Sequence, residues 1–319
     1  MSDVQLAPGT LIAERYLLRE PVGEGGIAVV WRADCQGIGP FERQVAVKVM
    51  KQAFSANKDH LEMFLEEARI GSELQHPNLV EVLDFVQTDA GQHCLVMEWI
   101  EGLDLRALCK LLGSVDRPLP WALVARVGIG VLRGLAAAHE RRQPDGTSVP
   151  IIHRDIAPQN VLLGLNGAVK LGDFGMARAR DRAAAMTAPG FVKGTLSYMA
   201  PEILMASTAT PLSDQFSVAC TLWESLAGQG LFQARTDAEV FVMIRSGKVR
   251  PLEERRPDVP TRFVAAVHRA LAMDPADRFA SAREMSWELE EVLRAEGPRV
   301  DADTLVGRAV AQAREARNT

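Results

Sequence analysis

His153-Arg154-Asp155-Ile156-Ala157-Pro158-Gln159-Asn160 is followed, thirteen residues after its asparagine, by Asp173-Phe174-Gly175. These two strings decide the reading of the chain, because they gather Asp155, Asn160 and Asp173 in one short segment with a histidine and an arginine. Just upstream, the polar stretch 141–149 contains Pro144-Asp145-Gly146, a turn signal. Before that lies the most apolar stretch, Leu119–Ala138, interrupted by Arg126 and Arg133 and by Gly128, Gly130 and Gly134. It predicts a helix buried in a protein lobe, not a membrane span.

Further outward the chain changes character. Between residues 15 and 100, short apolar runs rich in β-branched residues recur at 16–18, 29–31, 45–49, 80–85 and 94–97, which predicts an antiparallel sheet. One helix interrupts it: Phe64, Leu65, Ala68, Ile70 and Leu74 fall near helical spacing, and His76-Pro77-Asn78 stops the run. From residue 104 onward helices are predicted at 104–112, 121–139, 213–226, 237–245, 262–273 and 282–293. The pattern therefore predicts an α+β chain with a small β-rich lobe followed by a larger helical lobe. Gly297-Pro298 closes this domain. A last stripe of Leu305, Val306, Ala309, Val310 and Ala313 predicts a helix of about two heptads, too short for a coiled coil.

The bulk properties fit such a domain. The 319 residues suffice for one large domain or two joined lobes. The composition, 47% hydrophobic and 24% charged, is that of a soluble globular protein. A net charge of −5 without a dominant basic tract excludes a nucleic-acid partner from the expectation. Cys35, Cys94, Cys109 and Cys220 are scattered with no CxxC pair, which argues against structural zinc or a disulfide framework and fits a reducing cytoplasm. The first residues show no signal-peptide pattern, and no membrane association is expected.

Several strings stand in a particular order around the decisive pair. Gly23-Glu24-Gly25-Gly26-Ile27-Ala28-Val29-Val30 is a glycine-rich turn, the kind that brings backbone N–H groups close to phosphates. By itself such a turn is equally a plain hairpin. Val45-Ala46-Val47-Lys48 places a lysine in an apolar strand, unusual without a partner for its ammonium. Glu67 follows nineteen residues later on the apolar side of the predicted helix, whereas Glu66 points elsewhere. Gly194-Thr195-Leu196-Ser197-Tyr198-Met199-Ala200-Pro201-Glu202, Asp214-Gln215-Phe216-Ser217 (a helix start) and Asp274-Pro275-Ala276-Asp277-Arg278-Phe279 complete the set. Taken in order, at least six motifs over roughly residues 15–295 resemble the eukaryotic-type, or Hanks-type, serine/threonine protein kinases of bacteria, with a myxobacterial flavour.

That resemblance implies a two-lobe kinase fold: an N-terminal extension 1–14, a kinase domain 15–295 (N-lobe about 15–98, C-lobe about 103–295) and a helical tail 296–319. It implies transfer of the γ-phosphoryl of ATP to protein Ser/Thr hydroxyls by a non-specific serine/threonine protein kinase in signal transduction. Asp155 would take the hydroxyl proton, Lys48 paired with Glu67 would grip the α- and β-phosphates, and Asn160 and Asp173 would hold Mg2+, with Mn2+ as a substitute. Val22, Gly23, Glu24, Gly25, Gly26, Ile27, Ala28, Val29 and Val30 would cover the nucleotide. Val22, Val30 and Ala46 above and Leu162 below would sandwich the purine, Met97 would be the gatekeeper, Glu98 and Ile100 would bind the adenine edge through their backbones, and Asp104 would bind ribose. Arg154 implies control by phosphorylation of the loop. Thr187 is the expected switch site and Thr195 the residue that contacts the catalytic Asp. Glu202 and Arg278 would form a buried ion pair.

The chain departs from the family pattern in two places. Ala28 replaces the third glycine, which restricts the loop slightly. Ala157 stands where serine/threonine kinases carry lysine, and Gln159 stands where tyrosine kinases with Ala at that position supply arginine. Losing one such transition-state donor costs about 10²-fold or more in rate. Two rival functions therefore stay open: a pseudokinase acting as a nucleotide-binding scaffold or allosteric partner, and a small-molecule phosphotransferase of related fold. The expected partners are protein substrates and an upstream kinase or adaptor that delivers the input. A homodimer is compatible with the sequence.

Overall fold

The β-branched runs between residues 16 and 98 form five strands, which pair with a short strand before them into one six-stranded antiparallel sheet. Its strands are β1 (Leu11–Ile12), β2 (Tyr16–Glu24), β3 (Ala28–Gln36), β4 (Glu42–Met50), β5 (Val82–Gln87) and β6 (His93–Glu98), in the order β1-β2-β3-β4-β6-β5. The structure, a computed structural model, describes residues 6–37, 42–55, 57–113, 118–143, 145–174, 196–205, 207–299 and 301–318. The chain divides into two units, Met1–Gln75 with Val80–Trp99, and His76–Leu79 with Ile100–Thr319.

In the first unit, period-two alternation sorts β4 onto two faces. Val45, Val47 and Val49 join Ile12, Leu18, Trp31, Ala33 and Val96 in one buried cluster. Met50, on the other face, packs with Ala28 and Leu95 beneath Phe64 and Ala68. Phe64 and Ala68 belong to α2 (Lys58–Glu73), which follows the single turn α1 (Gln52–Ser55). Asn57 caps α2, its Oδ1 accepting from the N–H groups of Asp59 at 3.0 Å and His60 at 3.2 Å. Lys48 shares the parity of Met50, so it faces the side of the sheet that α2 covers. The register of β2 against β3 shifts between Pro21 and Gly23, where proline cannot donate to the ladder, and the hairpin tip begins there.

The second unit is mainly helical: α3 (Leu105–Leu112), α4 (Trp121–His139), α5 (Pro201–Leu204), α6 (Pro211–Ala227), α7 (Asp237–Arg245), α8 (Thr261–Ala270), α9 (Ala282–Glu296) and α10 (Ala302–Asn318). Of the described helices, α4 is the one long and apolar enough to cross a membrane, but 78% of its apolar window is buried inside the protein, as for a core helix. It packs against α6 and α9. A three-stranded sheet, β7 (Gly102–Asp104), β8 (Val161–Gly164) and β9 (Val169–Leu171), contains the hairpin β8–β9 that lies between the two decisive strings.

Four features differ from the sequence expectation. The sheet gains β1, inside the segment set apart as an N-terminal extension, because Ile12 is buried and pairs with Tyr16. Asp214 is not a helix start: α6 begins at Pro211, with Thr210 and Ser213 forming a capping box. The strands β7 to β9 were not expected, being only three or four residues long. His76–Leu79 does more than stop a helix: Asn78 Nδ2 donates to Val169 O at 2.8 Å and Asn78 O accepts from Leu171 N at 2.9 Å, which ties it to β9 in the second unit.

Candidate active site

In the first unit, Lys48 Nζ lies 2.6 Å from Glu67 Oε1, with the side chains only 13% and 17% exposed. The parity of β4 and the helical spacing of Phe64, Glu67 and Ile70 produce that meeting. Glu66 faces outward and pairs with Arg69 at 2.6 Å. Val30 stands opposite Lys48 across β3 and β4, and Ala46 opposite Met97 across β4 and β6. Met97 packs onto the Phe64 cluster.

The glycine-rich segment is the tip of the β2–β3 hairpin, closed by Gly25 N donating to Ala28 O at 2.9 Å and Lys51 N to Ile27 O at 2.9 Å. A Cβ at Gly26 would meet no atom within 4 Å, so the backbone of the hairpin tip is open to solvent there. Ala28, the departure from three glycines, is buried among Met50, Phe64 and Leu95, and so restricts nothing on the open side. Val22 is exposed, Ile27 and Val29 lean on the core, and Glu24 pairs with Lys51 at 2.7 Å. Glu98 accepts the N–H of Glu81 through its side chain at 2.8 Å.

In the second unit the decisive strings form a tightly bonded loop. Asp155 and Asn160 are both buried. Asn160 Nδ2 donates to Asp155 O at 2.6 Å and to Asp155 Oδ2 at 3.3 Å. The amide thus spends its N–H groups on Asp155 and keeps its carbonyl oxygen for another partner, as a hard-cation ligand must. Asn160 O accepts from Gly172 N at 2.9 Å, which joins the catalytic string to the segment holding Asp173. His153 makes a second link: Nε2 donates to Gly172 O at 3.0 Å, and Nδ1 accepts from Asp155 N at 3.3 Å. Its ring packs on Phe174 with centroids 4.7 Å apart. Burial holds the His153 pKa down against the pull of Asp214, so the imidazole is neutral and the two bonds fix one tautomer.

The backbone carries strain at two of these positions. Arg154 has φ of 68° and Asp173 has φ of 55°, both in the left-handed region. What holds the first is the fully buried carboxylate of Asp214. It accepts from His153 N at 2.9 Å, Arg154 N at 2.9 Å and His139 Nε2 at 2.8 Å. Sequence reading missed this role, although it singled out the motif, because the partners lie sixty and more residues away. Nothing in the sequence marks His139. Ala157 is fully buried, and the side-chain oxygen of Gln159 is buried without a partner.

Asp104 precedes α3 and caps it, Oδ1 accepting from Ala107 N at 2.8 Å. It pairs across β7 and β8 with Leu162, which brings the expected ribose ligand beside the expected purine floor. Ile100 opens the segment that leads into β7. Glu202 and Arg278 form a bidentate pair, 2.8 Å at both contacts, with the guanidinium fully buried. Burial pushes Glu202 up, but the Arg278 pair outweighs it and holds the carboxyl below its ordinary range. Gly175, Thr187 and Thr195 lie outside the described residues.

A fold of a strand-rich unit with a paired Lys–Glu, and a helical unit with a bonded Asp–Asn loop, defines a class of phosphoryl-transfer protein. The protein kinase domain family model matches residues 16–288. The tyrosine-protein kinase MasK of Myxococcus xanthus is 35% identical over 278 residues, 87% of this chain and 43% of that protein. The serine/threonine-protein kinase PknL of Mycobacterium tuberculosis is 36% identical over 284 residues, 88% of this chain and 66% of that protein. PknK of the same organism is 33% identical over 297 residues, 92% of this chain and 25% of that protein. The chain therefore spans from a quarter to two thirds of the length of these relatives. The crystal structure of the Mycobacterium tuberculosis PknI kinase domain superposes with a TM-score of 0.65 at 27% identity, covering 90% of this chain and 99% of that one. The chain belongs to the protein kinase family, in its bacterial Hanks-type branch.

Proposed function

We propose that the chain is a serine/threonine protein kinase that uses ATP with Mg2+, or Mn2+ in its place. The observation that carries the reading is the buried Asp155–Asn160 pair in a loop fixed by Asp214. Asp155 accepts the proton of the substrate hydroxyl as its oxygen bonds to the γ-phosphorus. The bond from that phosphorus to the β,γ-bridging oxygen breaks, and ADP leaves. Asn160 and Asp173 hold the metal ion, which when bound neutralises phosphate charge. Lys48, oriented by Glu67, grips the α- and β-phosphates. Ala46, Met97 and Leu162 hold the purine, the Glu98 and Ile100 backbones read its edge, and Asp104 keeps one carboxylate oxygen for ribose. Arg154, Thr187 and Thr195 serve regulation and loop order. A reducing, ATP-supplied cytoplasm suits the four free cysteines.

MasK is named a tyrosine kinase, so the acceptor needs its own argument. The chain has two tyrosines. Tyr16 is 2% exposed, with its hydroxyl on Asp84 at 2.7 Å, and Tyr198 is 6% exposed, with its hydroxyl on Glu224 at 2.7 Å. Neither offers a free phenol, which supports serine or threonine as the site of self-labelling. The test is phosphoamino-acid analysis of the chain after incubation with γ-labelled ATP and Mg2+. Phosphoserine or phosphothreonine supports the reading, whereas phosphotyrosine in the folded chain contradicts it. The rival reading, a nucleotide-binding pseudokinase, rests on the missing cation at Ala157 and predicts ATP binding with no label at all.

A further inference from the structure

Helix α10 lies beyond the residues matched by the family model, yet it is built into the second unit. Val306, Val310 and Ala313 are fully buried against α3, α4, β7 and β8. At two points the approach is backbone to backbone. A Cβ at Gly307 would stand 2.5 Å from Leu165 O, and one at Gly167 would stand 2.3 Å from Asp303 O. Glycine in mid-helix is disfavoured relative to alanine, and at Gly307 close approach is what it makes possible. Ion pairs flank the contact: Arg126 Nη2 to Asp303 Oδ1 at 2.6 Å, and Arg314 Nη1 to Glu101 Oε1 at 3.1 Å.

The turn that receives α10 is not an isolated surface. Leu165 N donates to Glu101 O at 2.9 Å, so the residue against which Gly307 packs also holds the segment entering β7. Glu101 is held a second time by Arg314. Immediately beyond, β7 and β8 pair Asp104 with Leu162. Helix α10 therefore touches both strands of the ladder that sets these two residues, through glycine contacts that admit no extra atom on the β8 side and through the exposed Arg314–Glu101 pair on the β7 side.

We infer that α10 is a positioning element for nucleotide binding. It fixes β7 and β8, and through them Asp104 and Leu162, with Gly307 and Arg314 as its positioning residues. This rests on the nucleotide-site reading proposed above and adds a determinant outside the matched family domain. Neither residue touches nucleotide in this account, so their effect falls on ATP affinity and not on the chemical step.

The test uses the full chain with Gly307→Leu, Arg314→Ala and Arg314→Lys. ATP dissociation constants come from calorimetry, KM and kcat from label transfer, and amide exchange reports on residues 306–313. Displacing α10 by Gly307→Leu is expected to raise both Kd and KM for ATP about tenfold, with kcat at saturating ATP within about twofold of the parent, since loss of positioning acts on binding geometry. Arg314→Ala is expected to raise them about threefold and Arg314→Lys to recover most of that, in keeping with an exposed ion pair. Loss of exchange protection in α10 with unchanged ATP affinity overturns the inference, as does a Gly307→Leu chain whose helix stays protected. If Gly307→Leu does not fold, Asp303→Ala with Arg314→Ala decides by the same readouts. A parent chain that binds no ATP refutes the proposed function instead.

Discussion

In the proposed function the loop around Asp155 and the glycine-rich hairpin both serve phosphate chemistry, yet they are held in opposite ways. Around Asp155 the side chains are buried and multiply bonded: Asp214 takes three hydrogen bonds, His153 makes two, and Asn160 bridges to Asp155. The hairpin tip at residues 21–26 is exposed, closed by backbone bonds and held by the surface pair Glu24–Lys51. Buried polar networks fix one geometry because each broken bond leaves an unpaired group. Exposed pairs exchange with water at little cost and permit adjustment. Proton acceptance needs placement within tenths of an ångström, whereas a phosphate cover must admit and release nucleotide.

That contrast can be broken first at Asp214. Asp214→Ala strands two backbone N–H groups and His139 in a buried site and relaxes the strained Arg154 backbone. It is expected to lower stability by about 3–5 kcal/mol and to abolish label transfer, as measured by denaturant midpoint and rate. Arg278→Met removes the partner of the partly buried Glu202 carboxylate and the donor to Ala272 O and Leu212 O. It is expected to cost about 3 kcal/mol at neutral pH. Its pH dependence gives a second check. Glu202 has a lowered folded pKa, so the parent has the pair's full contribution above the ordinary carboxylate range and loses it as pH falls through the lowered value. In the variant, burial alone raises Glu202, and protonation then relieves it. The stability gap should narrow on acidification, and a constant gap between neutral and acid pH contradicts this assignment.

Lys48→Met removes the proposed phosphate grip together with the Glu67 ion pair, whose carboxylate is shielded about as well as that of Glu202. A rise in KM for ATP of about 10²-fold is expected, with a stability loss of about 1–3 kcal/mol, since both side chains keep some contact with solvent. The smallest effect belongs to the hairpin. Glu24→Ala or Lys51→Ala should change KM for ATP by less than about threefold, in line with exposed pairs. A tenfold effect there would erase the contrast, because the hairpin would then depend on fixed geometry as the catalytic loop does.

Much of this was legible in the residues. The short apolar runs at 45–49 and 94–97, recurring in a series of such runs, were enough to announce strands. Helices 121–139 and 237–245 were bounded correctly from apolar pattern, and the second of these carries a Thr236–Glu239 capping box. The Lys48–Glu67 pair was expected from the family resemblance and from the helix face that Glu67 shares with Phe64, Ile70 and Leu74; the parity of β4 supplies the physical reason for it. Strands β7, β8 and β9 were not legible, since three or four residues cannot display a period of two. Nor was the grip of Asp214, because two of its partners are backbone N–H groups, which have no sequence signature, and the third, His139, lies 75 residues away. The tail showed the reverse: the stripe of Val306, Val310 and Ala313 announced a helix, but its seat on β8 depends on Gly307 meeting a turn that no local pattern predicts.

The most direct measurement of the central claim is label transfer from γ-labelled ATP to a generic protein acceptor by the parent chain and by Asp155→Asn, with ATP affinity measured on both. The expected result is transfer to serine or threonine by the parent, a fall of about 10²–10⁴-fold in Asp155→Asn, and equal ATP affinity. Equal transfer by both proteins, or ATP binding without transfer by the parent in Mg2+ and in Mn2+, would contradict Asp155 as the proton acceptor of a working kinase.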